Sequence, residues 1–166
     1  MKKRSPPSSR AKSDSASAVI SHVRAAQLIE AVKIYIESAS VIIDEQAGLI
    51  DERAKRAPDK PDLGACCRLV RWALVATGNA LQPESLYAVR TNNDRRAVAA
   101  ICDEQRRHLL WCRASLDAIC RMLRTDSSVS GRSEDERLAL AAIIADLDQS
   151  IVLLDPAVLR LSPVRG

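Results

Sequence analysis

Aromatic residues are nearly missing from this 166-residue chain, which has two tryptophans, two tyrosines and no phenylalanine. A core built without rings must be filled by Leu, Ile, Val and Ala, which suits closely packed helices better than a sheet sandwich. The same shortage removes the interleaved aromatic platforms on which single-stranded nucleic acids stack. Five glycines and seven prolines, most of them near segment ends, are too few turn signals for an all-β fold. No run approaches 18 uninterrupted apolar residues, so no transmembrane helix is expected. No phosphate-cradling glycine loop, nucleophile elbow, HExxH or CxxC pair occurs. These absences count against a familiar enzyme, and neither a cofactor nor a bound metal is expected.

Only two histidines are available. Glu104, His108 and Cys112 fall at i, i+4 and i+8 on one helical side, the spacing a metal site needs. The remaining ligands would have to come from His22, Cys66 or Cys67, and no pairing motif supports them. The five cysteines are odd in number and follow no secretory signal. They read as reduced, small hydrophobes of a cytoplasmic protein, and the adjacent Cys66 and Cys67 as packing residues.

The formal charge of +4 is a poor average. Lys2, Lys3, Arg4, Arg10 and Lys12 stand in a first dozen residues without an acid, which leaves 20 basic against 21 acidic residues in the remaining body. Residues 1–17 are rich in Ser, Pro and basic groups and read as a disordered basic tail. A generally cationic nucleic-acid surface is therefore not indicated.

The stretch from Asp94 to Arg124 organises the rest. At about 100° per residue, Val98, Ile101, Cys102, Leu109, Cys112, Leu116, Ile119, Cys120 and Leu123 form one continuous core-facing stripe. Roughly opposite lie Ala97, Ala100, Trp111, Ala114, Ala118 and Met122, a second apolar strip. Two strips predict a helix that is central in a bundle. One flank carries Arg95, Arg96, Arg106, Arg107, Arg113, Arg121 and Arg124, with Asp103 and Asp117 interleaved. Such a flank is either a solvated face or a set of guanidinium forks for phosphate or carboxylate groups.

Before it, a helix is expected from Ala18 to about Arg56, with Asp14 or Ser17 as its cap and Gly48 as a place where it divides. This helix too has two apolar sides: Ile20, Val23, Ile34, Val41, Ile42 and Leu49 on one, and Ile29, Val32, Ile36, Ile43 and Ile50 on the other. Both sides need covering, by the bundle itself or by a second copy. A loop, APDKPD, precedes a helix capped by Asp62 and running to about Ala80, with Leu69, Trp72, Leu74, Val75 and Leu81 as its core. Pro83 starts a short helix. After the loop at 125–132, Ser133 to Glu136 form a capping box for a last helix to about Leu154, and Asp155-Pro156 ends it.

The expected fold is thus all-α, a single-domain helical bundle over residues 18–155 with four main helices and one short one, followed by a short C-terminal tail at 156–166. The expected function is non-catalytic, acting through protein–protein contact as an adaptor, regulator, chaperone-like protein or inhibitor. The partner is another protein or a second copy of the chain, joined through the first helix. The alternative is a small nucleic-acid-associated protein that uses the basic tail and the arginine flank. For either, the candidate partner- or anion-binding residues are Arg95, Arg106, Arg107, Trp111, Arg113 and Arg124, and no catalytic residue is nominated.

Overall fold

Three side chains each accept a backbone N–H three residues on, and each starts a helix: Ser21 Oγ from Arg24 (3.1 Å), Asp62 Oδ1 from Ala65 (2.7 Å) and Thr91 Oγ1 from Asp94 (3.1 Å). The computed structural model describes residues 19–55, 62–125 and 132–164. Within them lie α1 (His22–Ala54), α2 (Leu63–Ala80), α3 (Glu84–Tyr87), α4 (Asn92–Thr125) and α5 (Arg132–Leu153). No strand accompanies them among the described residues, and the expected all-α bundle of four main helices and one short helix is what the chain forms. The basic tail and the expected caps Asp14 and Ser17 lie outside the described residues, as does most of the loop that precedes α2 and of the loop that precedes α5.

Helices α1 and α2, α2 and α4, α4 and α5, and α5 and α1 lie side by side, whereas the diagonal pairs do not. The chain therefore runs around a square, with every neighbour antiparallel. Each helix turns one line of residues, three and four apart, to the centre: Ile29, Val32, Ile36, Ala39 and Ile43 in α1; Cys67, Val70 and Leu74 in α2; Leu109, Cys112 and Leu116 in α4; Leu140, Ile143 and Leu147 in α5. Small residues let the backbones close up. A Cβ at Gly78 would stand 3.2 Å from Ile36 Cγ2. One at Gly64 would collide with the carboxylate of Asp51, which already holds Arg68.

Several sequence expectations give way here. α1 starts at His22 because residues before it are extended: Ile20 bridges in parallel to Leu161, donating to Arg160 O (2.9 Å) and accepting from Ser162 N (3.0 Å). Gly48 does not divide the helix, since the i to i+4 ladder continues through it to Ala54. The C-terminal segment is no loose tail. Leu159 and Leu161 are buried, Arg95 Nη1 donates to Leu161 O (3.2 Å), and Val164 N donates to Asn92 Oδ1 (3.3 Å). It is a strap across the bundle end where α1 and α4 begin.

At the opposite end the expected capping box fails. α5 already begins at Arg132, which places Ser133 inside the helix, and Glu136 is 5% exposed and paired with Arg53 of α1. Removing Arg53 leaves the buried carboxylate of Glu136 without its guanidinium, so R53M should cost about 3–5 kcal/mol in urea unfolding, and replacing Glu136 as well, in R53M/E136L, should recover most of it. An equal loss in the double variant would disprove that account. The glycines give a second test. G64A should destabilise by about 1–3 kcal/mol through overpacking. G48A has nothing within 4 Å of the new methyl and should stabilise the helix by about 0.5–1 kcal/mol.

Candidate interaction surface

On α4 the arginine flank is occupied by the chain's own acids. Arg106 pairs with Asp155 (3.0 Å), Arg107 with Asp103 (3.4 Å), Arg113 with Asp148 (3.0 Å) and Arg121 with Asp117 (2.5 Å). Two of these bonds tie α4 to α5 or to the turn after it, and two lie along α4 itself. The aspartates raise the affinity of the Arg113 guanidinium for its proton, Asp148 by hydrogen bond first and by charge second. Of the nominated residues, Arg95 reaches the strap, and Arg124 is exposed near Glu134, whose carboxyl it helps keep ionised after the larger effect of Arg137. The flank is therefore part lacing between helices and part pairing along α4.

The start of α4 is built the same way. Asp94 Oδ2 accepts the N–H groups of Arg90 (3.0 Å) and Thr91 (2.8 Å), which hold its carboxyl below the usual carboxylate range, while Thr91 caps Asp94 in return. This reciprocal box fixes where Ile101 and Trp111 emerge farther along the helix.

The second apolar strip of α4 is not buried as expected. Ala97, Ala100, Trp111, Ala114 and Met122 are exposed and Ala118 is half-buried, so α4 has one covered side and one open side. Ile101, expected in the core, belongs to the open side as well. In a square bundle each helix touches two neighbours and has nothing across its outer face.

The same correction falls on α2. Leu69 (66% exposed), Trp72 (76%) and Val75 were expected in the core and stand outside, whereas Cys67, Val70, Leu74, Thr77 and Gly78 point in. Both stripes are apolar, and the small residues win the inside because they admit α1 at close range. One signal in the sequence could have separated them. Arg68 and Arg71 bond Asp51 (2.6 Å) and Asp44 (3.4 Å), in the heptad-spaced acidic line Glu30, Glu37, Asp44 and Asp51 of α1. With those arginines on the α1 seam, the helical wheel turns Trp72 outward.

These two open sides meet. Ala80 of α2 and Ile101 of α4 line one cavity of about 40 Å³, room for little more than a water. From that shared level, Trp72 lies eight residues along α2 and Trp111 ten residues along α4 in the same direction. At the helical rise these are about 12 and 15 Å. Leu69, Trp72 and Ala76 thus stand on the outside of α2, and Ile101, Trp111 and Met122 on the outside of the neighbouring α4, so the two open faces border one outer groove. Both tryptophans of the chain stand on it, the latter 53% exposed.

Reactive chemistry is sparse. His108 Nδ1 lies 3.1 Å from Gln105 Oε1, while Cys112 is fully buried, so the i, i+4, i+8 set does not converge. Among the described residues no group of three or more His, Cys, Asp or Glu side chains could hold a metal. Burial pushes the thiols of Cys67 and Cys112 up to about 12 and that of Cys102 to about 11, from an ordinary 9.0. Thiols this reluctant to ionise are poor nucleophiles.

Raised values mean that the folded chain keeps protons the unfolded chain loses. The corresponding stability is whole below pH 9 and is lost as pH climbs toward 12. Urea midpoints should therefore fall across that window, less steeply in C112A, and iodoacetamide at neutral pH should label the half-exposed Cys66 while Cys67, Cys102 and Cys112 react only on unfolding. Equal labelling of all five cysteines in the native protein would refute this. Compared with protein-family models, with curated proteins and with solved structures, the chain matches none.

Proposed function

We propose that this chain is a non-catalytic interaction module whose working surface is the outer groove between α2 and α4. One observation carries the reading: both tryptophans stand open on the outside of two neighbouring helices, at nearly the same height. Large aromatic side chains are the commonest anchors of protein interfaces, and exposing them in solution without a partner invites association. The chain has only four rings to place, and the two largest are outside the core.

The adaptor, regulator, chaperone-like and inhibitor roles share this requirement for a docking face. Engagement through the arginines, including that of nucleic acid, is less well supported, because Arg106, Arg107 and Arg113 already bond aspartates and a phosphate would have to displace them. Trp111 remains the member of the nominated set that the groove favours.

Site-specific photo-crosslinking tests the reading in cells. A benzophenone side chain at position 72 or 111 should give defined protein adducts, and the same group at the exposed positions of Glu30 or Asp135 should not. Adducts of equal yield at all four positions, or none at 72 and 111, would sink it.

A further inference from the structure

The open stripe of α4 is spaced like a coiled-coil seam. Ala97, Ile101, Glu104, His108, Trp111, Ser115, Ala118 and Met122 follow one another at alternating steps of four and three, which is the spacing that receives another helix. A stripe of this kind has a partner implied by its own order of sizes.

Taken from its two ends toward the middle, the stripe sets large against small in its three outer layers and ring against ring at the centre. Ala97 stands opposite Met122, Ile101 opposite Ala118, Glu104 opposite Ser115, and His108 opposite Trp111. The flank beside it behaves likewise: Arg107 falls opposite Ala114, and Arg121 opposite Ala100. An antiparallel copy of the same helix would therefore meet knobs with holes and no arginine with an arginine. A two-fold axis produces this arrangement, because an isologous contact pairs residue i with j and j with i.

Area agrees with that occupant. Leu69, Trp72, Ile101, Trp111 and Met122 are all exposed large hydrophobics. Together they offer roughly 600 Å² of side chain, approaching the 800 Å² or so that each partner contributes to a standard interface. The alanines and His108 between them supply the rest. α1, where a second copy was expected from the sequence, offers less: Ile34, Val41 and Leu49 stand apart among Glu30, Glu37, Glu45 and Glu52, so two such faces would bring acid against acid.

Resting on the reading of the α2–α4 groove as the working surface, we infer that its occupant is a second copy of this chain, seated by a two-fold axis across the middle of α4 with the two α4 helices antiparallel. Each Trp111 packs beside the other copy's His108, and each Trp72 closes over the edge of the other copy's α4.

Sedimentation equilibrium on the full chain, with substitutions at an exposed alanine that leave the monomer's fold alone, tests this directly. The wild type should be a dimer, and W111A and A114R should each raise the dissociation constant at least tenfold. A114R sets a cation against Arg107 of the other copy, whereas A114E faces that same Arg107 and should tighten the dimer several-fold. Opposite shifts from the two charges at one position are the signature of this register. A monomer at roughly 100 μM, or a dimer that W111A, A114R and A114E leave unmoved, overturns the inference. If the chain sediments as a monomer while benzophenone at positions 72 and 111 captures a different protein, the groove stands as the working surface and the second copy does not. If neither association nor adducts are found, both readings fall.

Discussion

A helix in a square bundle can cover about a third of its circumference, and this geometric limit governs the molecule. α1, α2 and α4 each carry apolar residues on two sides, so each must choose which side to bury. The choice is made by how near the neighbouring backbone can come. Gly64 and Gly78 on α2 bring α1 close enough for Asp51 and Ile36 to touch them, and the larger Leu69, Trp72 and Val75 are left outside. Ring-poor packing follows from the same limit, since a centre lined by Ile, Leu, Val and Cys from four helices has no room for an indole.

The seams between helices are laced by charge. Asp51–Arg68 and Asp44–Arg71 join α1 to α2, Asp148–Arg113 joins α4 to α5, and the buried Glu136–Arg53 pair closes one end of the α1–α5 seam. The exposed bridges contribute little to stability one by one. Their value is in register: a one-turn slide of α2 along α1 would separate both pairs at once and move Trp72 off its level with Trp111. The groove is only as well defined as these pairings make it.

Much of the fold was legible in the sequence, because periodicity of three and four is strong over 33- and 34-residue helices and Asp62, Pro83 and Asp155-Pro156 are plain boundary signals. The core stripe of α4 was readable for the same reason, with Ile101 as the exception. Which of two apolar stripes would be covered was not readable, since that depends on how many neighbours a helix has, and no single helix records this. Glu136 was misread for a related reason: its fit to a capping box is local, whereas its partner Arg53 is 83 positions away. Trp111 was visible as a candidate from its isolation among alanines. Trp72 was missed because an indole on an apolar face reads as core until Arg68 and Arg71 are given their partners.

The strap at residues 159–164 ties the chain into a near-circle. Ile20 and Leu161 are neighbours across 141 positions, and closing a loop that long costs several kcal/mol of chain entropy, a cost that falls to almost nothing once α1 and α5 already lie together. That ordering makes the strap a late-forming clasp: the helices can find one another without it, and it then fixes the starts of α1 and α4 at a common end. Ile20 and Val164 therefore stand together at one end of the bundle, about half the length of α4 from the middle of the groove.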